Sequence, residues 1–372
     1  MDVTETVFGT WSGGRFMHFG ECIEEDRWVE LVRTAYESGI RTFATADVYG
    51  VGRSEELLAT ALSDYERETY CLVGMVGHDI YDGKRAGVRG YARFTLPDLR
   101  GPEGYAEYLK RATERSLERC QTDYFDLVML HNPDSTGYSS PAVWEGMRGL
   151  KTAGLTRKTG VAPGPANGFA IDMAYCFEQF HEDIDWAMII LNPMEPWPGR
   201  YILPIANEFD IKLLTRVVDY GGMFHDDVKP GHLFNDGDHR TYRVEGWIEQ
   251  GAAKMEKMRP IADRHGLSML QLSACWNLSQ TPVMSVAPTF IQEAGDSARP
   301  VEDKVRDLAG LPDVRLSHEE VEEIFQIGNN EGCMKLKGAS SRNAEMEPQP
   351  DRWPMRPELQ PMAARWGLNP DW

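Results

Sequence analysis

Short apolar runs alternate with amphipathic helical patterns along most of this 372-residue chain, and no other feature limits its possible folds as strongly. Eight of the apolar runs have the length of a strand, and helical patterns separate them. The predicted strands are Val7–Trp11, Arg41–Ala46, Tyr70–Val76, Tyr124–His131, Arg157–Ala162, Trp186–Asn192, Ile211–Val218 and Val283–Pro288. Strands that alternate with helices predict a parallel sheet, and eight such units predict a single α/β domain, a (β/α)₈ TIM barrel over residues 1–330.

The helical patterns fall between these strands and continue after the last one. They span 27–37, 54–63, 105–120, 141–153, 168–180, 202–209, 247–265, 268–279, 301–309 and 317–328. Two long segments without a clear period, 78–101 after the third strand and 219–246 after the seventh, are expected to be lids or binding loops. Residues 331–372 hold three tryptophans and are predicted to form an extended tail that packs on the barrel.

Composition narrows the range of partners and compartments. A formal charge of −19 argues against nucleic acids and anionic membranes as partners, because both select basic surfaces. The N-terminus has neither a basic region nor an apolar run, and no stretch approaches the roughly 20 apolar residues of a membrane helix. The six cysteines form no Cys-x-x-Cys pair. We therefore expect a cytoplasmic protein with reduced thiols that acts on a small molecule, and an oligomer is possible.

The segment 41–55, Arg-Thr-Phe-Ala-Thr-Ala-Asp-Val-Tyr-Gly-Val-Gly-Arg-Ser-Glu, carries the clearest functional signal. A strand ends at Ala46, a glycine-rich loop follows, and Ser54 is predicted to cap the next helix. Chemistry in α/β proteins is placed where such strands end, and the phenol of Tyr49 in this loop can donate a proton.

This segment resembles the aldo-keto reductase superfamily, whose motif is Asp-Thr-Ala-x-x-Tyr-Gly-x-Gly-x-Ser-Glu. The resemblance covers about residues 5 to 330, and it includes the run Phe125–Asn132 and the approach to the fifth strand at Gly154–Val161. It implies a barrel that transfers hydride from NADPH to a carbonyl. By the same resemblance, Tyr49 is the general acid and His131 orients the carbonyl.

Two members of the tetrad that the resemblance implies are missing. The aspartate falls on Ala44, and the lysine at the end of the third strand falls on Met75. Without a neighbouring cation, nothing obvious lowers the Tyr49 pKa from the usual phenol value of about 10.

The cofactor side departs from the family as well. The Ser-Asn pair that would hold the nicotinamide amide is Ala162-Pro163, the glutamine on strand six is Met188, and the Ile-Pro-Gly loop is Val286-Ala-Pro288. The basic residue for a 2′-phosphate is displaced by the segment 289–297, although Arg299 or Lys304 could still reach a phosphate. Because the scaffold positions match while these site positions do not, the pattern favours a repurposed site.

New polar side chains occur where the family's groups are lost. The candidate substrate contacts are Trp11, His78, Asn132, Arg216, Asp219 and Tyr220, and Glu195 lies just past strand six. The loop after strand seven adds histidines and carboxylates between 225 and 239, which suit zinc or manganese. No ligand spacing there is diagnostic, so an acidic, solvated lid without metal is the preferred interpretation.

Three functions from different classes remain open. We rank first a non-redox lyase, dehydratase or isomerase acting on a small carbonyl or sugar-like compound, with Tyr49 and His131 moving protons, Arg216 binding an anionic or oxygen-rich group, and no cofactor. The alternative is an NADP(H)-dependent reductase of aldehydes, ketones or sugars with substitute residues, such as His78 or Asp47. A non-catalytic binding barrel is third. Fold alone favours the reductase, but function is argued from the site.

Overall fold

The computed structural model describes residues 1–85, 90–164, 170–295, 298–331 and 357–368. Eight parallel strands follow one another around the sheet in chain order, which confirms the predicted (β/α)₈ barrel. They are β1 Val7–Gly9, β2 Thr42–Ala46, β3 Cys71–Val76, β4 Leu127–His131, β5 Thr159–Ala162, β6 Trp186–Ile190, β7 Lys212–Arg216 and β8 Val283–Ala287.

The helices alternate with the strands and surround the sheet. They are α1 Glu25–Glu37, α2 Arg53–Leu62, α3 Tyr105–Cys120, α4 Ser135–Ser139, α5 Pro141–Thr152, α6 Ala170–Phe180, α7 Gly199–Glu208, α8 Trp247–His265, α9 Met269–Leu278, α10 Val301–Ala309, α11 His318–Gly328 and α12 Gln360–Trp366. Long loops follow β3 and β7, as the sequence predicts. The start predicted for the helix at 168 lies outside the described residues.

The strand alternation divides the core into two layers. Phe43 of β2 and Leu72 of β3 join the large layer between sheet and helices. Their neighbours Ala44 and Val73 point instead into the barrel lumen, which is filled by apolar side chains. This packed interior leaves the carboxyl ends of the strands as the place where polar groups can gather.

The barrel closes between its first and last strands through few contacts. Thr6 bridges Val286 in parallel, the Val286 amide donates to the Glu5 carbonyl at 2.8 Å, and the Ser285 hydroxyl donates to the Thr4 carbonyl at 2.6 Å. The residues before β1 therefore act as the partner of β8.

Two local details differ from the sequence prediction. Ser54 is not the cap of α2, because the N-cap is Gly52 in a left-handed conformation with φ 91°. Ser54 lies inside the helix, where its hydroxyl is 3.2 Å from that of Thr45. The helices α4 and α12 were not predicted, since each is short and lies in a segment without helical periodicity.

Candidate active site

The upper layer of the lumen is built by alternate residues of β2, β3 and β4. Ala46 and Met75 are register partners on β2 and β3, and both side chains belong to the luminal cluster. His131 ends β4, two residues after the luminal Met129. The loop that carries Tyr49 packs its ring against the same cluster. The pattern of strand ends therefore brings Tyr49, Met75 and His131 to one place.

Four aromatic rings form a row across this end of the barrel. The ring centroids of Trp11 and Tyr49 are 4.3 Å apart, and those of Tyr49 and His131 are 5.6 Å apart with an interplanar angle of 83°. His78 follows at 5.2 Å from His131. The indole nitrogen of Trp11 is directed to the sulfur of Met17. Four of the predicted site residues thus lie side by side, and Trp11 forms a wall against the phenol.

Burial dominates the ionisation of Tyr49. Desolvation raises the pKa of the phenol to about 12, and the charge of Arg216 opposes this shift only in part. Asp47 acts in the raising direction as well, and burial raises the pKa of its own carboxyl well above the usual range. The phenol therefore holds its proton across the neutral range.

His131 is a buried, neutral imidazole. Its pKa is well below the usual value because burial, and then the charges of His78, Arg216 and Arg93, disfavour a second proton. The side chain is 5% exposed, and its Nδ1 atom has no hydrogen-bond partner. A buried polar atom without a partner costs free energy, so this nitrogen is an unsatisfied polar group at the barrel mouth.

Both ring nitrogens of His78 are already engaged. Nδ1 donates to the backbone carbonyl of Tyr91 at 3.0 Å, and Nε2 accepts from the side-chain amide of Asn132 at 2.9 Å. Burial and the charge of Arg93 lower the pKa of His78 to about 3. Its hydrogen bonds fix the loop after β3 against the end of β4. His78 and Asn132 are thus brought to the site, with polar atoms that position each other.

The close approach of these two segments requires a glycine. A Cβ atom on Gly77 would lie 2.4 Å from the carbonyl oxygen of His131, a distance no side chain tolerates. Asn132 adopts a left-handed conformation with φ 48°, and its backbone N–H donates to the carbonyl of Ala162 at 2.7 Å. These features turn the chain sharply at the mouth of the barrel.

Arg93 is a site residue that the sequence prediction missed. Its Nε donates to the carbonyl of Asn132, and its Nη1 lies 3.1 Å from Nδ1 of His78. The only sequence signal was the richness in arginine of the long segment after strand three. The antiparallel bridge between His78 and Arg93 turns this arginine inward. No local sequence pattern predicts that bridge.

Arg216 comes to the mouth from the opposite side, as the last residue of β7. Its Nη2 donates to the carbonyls of Pro163 and Gly164, at 3.0 and 2.7 Å, just after β5. Its Nε is buried without a hydrogen-bond partner. The guanidinium thus spans from β7 to the end of β5, and its charge acts on both Tyr49 and His131.

Asp219 and Tyr220 have structural contacts instead of facing this group. The Asp219 carboxylate accepts from the amides of Gly222 and Thr289, at 2.8 and 2.7 Å. Tyr220 is fully buried, with its ring 5.5 Å from that of Trp247 in α8. Both residues tie the loop after β7 to its surroundings, which sequence reasoning could not separate from a role in substrate binding.

Three of the histidines and carboxylates between 225 and 239 are bound to cations or to backbone. Asp226 pairs with Arg259 at 3.1 Å, Asp238 with Arg240 at 2.8 Å, and Nε2 of His225 donates to the carbonyl of Thr289. Among the residues that the structure describes, no group of three or more His, Cys, Asp or Glu is arranged to hold a metal ion. The same residues include no helix long and apolar enough to cross a membrane.

The two candidate cofactor contacts differ in availability. Lys304 is fully buried, where its Nζ lies 2.6 Å from the Asp227 carboxylate and 2.6 Å from the carbonyl of Ile291. A phosphate would have to displace this pair, so the suggested role for Lys304 does not suit its position. Arg299 is about one-third exposed and donates to the carbonyl of His225 at 2.8 Å, which leaves part of its guanidinium accessible.

Similar proteins share both the sequence pattern and the fold. The chain is 25% identical over 292 residues to the aldo-keto reductase YhdN of Bacillus subtilis, covering 75% of this chain and 79% of that protein. It is 23% identical over 319 residues to a versiconal hemiacetal acetate reductase of Aspergillus parasiticus, covering 75% and 83%. The glycerol dehydrogenase AKR11B4 of Gluconobacter oxydans has the same fold, with a TM-score of 0.66, 22% identity and coverage of 87% of this chain and 90% of that one.

A model of the family matches most of the barrel. The description "Aldo/keto reductase family" applies to residues 5–327, from the segment that closes the barrel to the end of α11. Tyr49 and His131 lie within this match, at the ends of the strands where the aromatic row is formed. The chain therefore belongs to the aldo/keto reductase family.

Proposed function

We propose that this protein is an NADP(H)-dependent oxidoreductase that reduces a small carbonyl compound, with Tyr49 as proton donor and His131 as the group that orients the carbonyl. One observation carries this proposal: the Tyr49 and His131 rings stand edge to face at the strand ends, and the buried Nδ1 of His131 lacks a partner. The relatives named above are reductases and a dehydrogenase, which favours redox chemistry over the lyase or isomerase ranked first from sequence.

The ionisation of Tyr49 favours reduction over oxidation. A phenol with a pKa of about 12 can protonate an alkoxide, whose basicity is near that of hydroxide, since bulk water has a pKa of about 15.7. The same phenol is rarely ionised near neutral pH and is a poor base for alcohol oxidation. His131, neutral and buried, would donate one hydrogen bond to the carbonyl oxygen without changing its own charge.

The residues present fit a nicotinamide dinucleotide in part. The Arg299 guanidinium, partly exposed just before α10, suits a phosphate, and the unpartnered polar atoms of Arg216 and His131 support a polar ligand at the mouth. A related structure from Klebsiella pneumoniae, with a TM-score of 0.58 and 20% identity, is described in complex with NADP and acetate. NADPH would supply the hydride to the carbonyl carbon. The Ala162-Pro163 pair cannot hold the carboxamide with side chains.

The compartment belongs to the proposal as well. The five described cysteines are unpaired, and Cys22 among them is exposed. We infer that the protein works in the reducing environment of the cytoplasm. Oxidation of the purified protein should therefore not be needed for activity.

The test combines cofactor binding with a tyrosine variant. We expect NADPH to bind with a micromolar Kd, worth about 8 kcal/mol, in calorimetry. Tyr49→Phe should reduce the kcat for aldehyde reduction by about 100-fold or more, because it removes the proton donor, while the NADPH Kd stays constant. Tyr65→Phe, at a surface tyrosine that bonds Glu37, is the control and should change neither value. Full activity of Tyr49→Phe, or no NADPH binding, contradicts the proposal.

One observation favours the non-redox function as a second candidate. Ala44 and Met75 are 3% and 4% exposed in the apolar luminal cluster, so the luminal side offers Tyr49 no charged partner there. A proton-transfer enzyme would exchange the α-protons of a carbonyl substrate with deuterated solvent in the absence of NADPH. We expect no exchange. Exchange without cofactor, seen by NMR, would make the lyase or isomerase class the better choice.

A further inference from the structure

Arg216 carries a positive charge that no carboxylate of the described residues balances. Its Nη2 is bonded to two backbone carbonyls, which are neutral, and its Nε is buried without a partner. The groups whose charge acts on it are the phenols of Tyr49 and Tyr138. Both phenols keep their protons, because burial raises the pKa of each. The guanidinium is thus isolated from any fixed negative charge.

Two other arginines with little solvent exposure are balanced by acids. Arg240 is 1% exposed and pairs with both Asp238 and Glu293, at 2.8 and 2.5 Å. Arg119 pairs with Glu55 at 2.5 Å. A buried charge without a partner is costly, and a protein of marginal stability keeps one only where it serves a purpose. The contrast with Arg240 marks Arg216 as a group prepared for a negative charge from outside.

The carboxylates nearest to the site cannot supply that charge. Asp219 is occupied by the amides of Gly222 and Thr289. Asp47 is not among the groups whose charge acts on Arg216, and burial, then the charge of Glu55, raises the pKa of its carboxyl well above the usual range. A second guanidinium, that of Arg93, adds positive charge on the other side of His131. The mouth of the barrel is therefore locally positive in a molecule whose net charge is −19.

We propose that Arg216 binds an anionic group of the substrate, so that the preferred substrates are small carbonyl compounds bearing a carboxylate or a phosphate. This rests on the proposed function for the reaction itself. The carbonyl oxygen would lie between Tyr49 and His131, and the anionic group would meet the partly exposed guanidinium of Arg216. Both carboxylate and phosphate oxygens form charge-assisted hydrogen bonds with a guanidinium, and the experiment distinguishes the two sources.

The first experiment measures binding to the unaltered protein in the absence of NADPH, by calorimetry. The probes are two matched pairs: pyruvate against its neutral amide, and glyceraldehyde 3-phosphate against glyceraldehyde. We expect the anion of at least one pair to bind about 30-fold or more tightly than its neutral counterpart, and the better pair identifies carboxylate or phosphate. Equal affinity within both pairs would overturn the inference. Anion binding without NADPH-dependent turnover would instead overturn the proposed function and leave this inference standing.

The second experiment assigns the preference to Arg216. Arg216→Gln should weaken the preferred anion about 100-fold while changing its neutral counterpart less than about threefold, since only the charge-assisted bond is lost. Arg216→Lys should recover part of the difference, because a lysine keeps the charge without the planar fork. Arg259→Gln, at an arginine paired with Asp226 and Glu256, is the matched control and should leave both affinities unchanged.

Circular dichroism and the melting temperature establish that each variant is folded. If Arg216→Gln does not fold, Arg216→Lys and the two matched pairs on the unaltered protein carry the test. An anion preference that survives in a folded Arg216 variant contradicts the assignment to this residue.

Discussion

At the scale of single residues, the site combines the proposed proton donor, Tyr49, with an apolar luminal surface. Tyr49 and His131 face each other, but the lumen beside them carries Ala44 and Met75 instead of charged groups. The cations that remain, Arg216 and Arg93, act from the mouth of the barrel. The charge of Arg216 opposes the rise that burial causes in the Tyr49 pKa, and the charges of both arginines lower the pKa of His131. Neither arginine is hydrogen-bonded to Tyr49 or to His131.

Met75→Lys tests this account of Tyr49. A lysine at this buried position would place a cation beside the phenol and lower its pKa by about one to three units. Under the proposed function Tyr49 acts in its protonated form, so kcat/KM for reduction should fall once the pH exceeds the pKa of the phenol. In the variant this fall should begin at a lower pH than in the unaltered protein, and the difference should equal the shift of the pKa. The variant should also melt at a lower temperature, because it buries a charge.

The control for this variant is Met284→Lys, at an exposed methionine of β8. It adds the same charge on the surface and should leave the pH profile unchanged. An alkaline limb that stays in place in folded Met75→Lys would show that Tyr49 is not the proton donor.

Sequence reasoning identified the residues at strand ends but could not assign their contacts. Trp11, Tyr49, His78 and His131 were predicted and lie in one row, because the carboxyl ends of neighbouring parallel strands must meet. Asp219 and Tyr220 follow a strand end equally closely, yet they bond to their own loop and to α8. The direction of a loop side chain depends on distant partners, such as the Thr289 amide, that no local pattern records.

At the scale of elements, the loop after β7 is held by a group of polar side chains with little exposure that we call the loop clasp: His232, Asp238, Arg240 and Glu293. Arg240 pairs with Asp238 and with Glu293 of the loop after β8, and His232 lies 3.1 Å from Glu293. The Gly20 amide donates to Asp238 at 2.8 Å and adds the loop after β1. Three loops on one side of the mouth are thereby fixed to one another.

Glu293→Gln should weaken this clasp in a pH-dependent way. Burial would raise the Glu293 pKa, but hydrogen bonds from His232 and Arg240 overcome this and lower it to about 2, from a usual value of 4.5. The folded state therefore binds this proton less readily than the unfolded state. The stabilisation is present above about pH 4.5 and is lost as the pH falls towards 2. The variant should lose about 3 kcal/mol of unfolding free energy at pH 7.

Urea unfolding at several pH values measures the effect. The acid decline of stability between pH 4.5 and pH 2 should be shallower in Glu293→Gln than in the unaltered protein. Glu302→Gln is the control, because its pair with Arg27 is near the surface and should cost under about 1 kcal/mol. Equal losses for the two variants would mean that the clasp contributes no more than a surface pair.

The same contrast between local and distant information applies to the elements. The bounds of α3, α8 and α10 match the sequence prediction because each helix has a clear apolar face. The capping box at Ser317 is also formed as predicted for α11. The seven-residue α12 was missed, since its buried residues Met362 and Ala363 are too few to show a period. It is helical where it meets the barrel.

At the scale of the whole molecule, the first residue and the last described helix, α12, both contact the barrel. The N-terminal amine lies 2.8 Å from Asp126, a buried carboxylate that also pairs with Arg67 and Arg157. At the other end, Glu178 of α6 accepts from Trp366 at 2.7 Å and pairs with Arg365 at 2.9 Å. The first contact is made at the start of β4, whereas the second lies on the layer of helices outside the sheet.

This difference predicts how the chain tolerates truncation after residue 331. Among the described residues, the barrel's sheet and its lumen contain none beyond β8, so removal of 332–372 should leave one cooperative unfolding transition and a far-ultraviolet spectrum that still has the shape of an α/β fold. Truncation should lower the free energy of unfolding by about 2–4 kcal/mol. Removal of the buried residues of α12 exposes apolar surface on α6 and near Phe209, and the conformational entropy that ordering these residues costs is no longer lost on folding.

Urea unfolding of the truncated and full-length proteins provides the measurement, and Glu178→Gln in the full chain is the comparison. That variant keeps α12 but weakens its attachment, so it should lose only part of the stability that truncation removes. The truncated protein should also retain the NADPH affinity of the full chain, since Tyr49, His131 and Arg299 all precede residue 331. A truncated chain that fails to fold, or that unfolds in two steps, would show that the tail is part of the barrel's own folding unit.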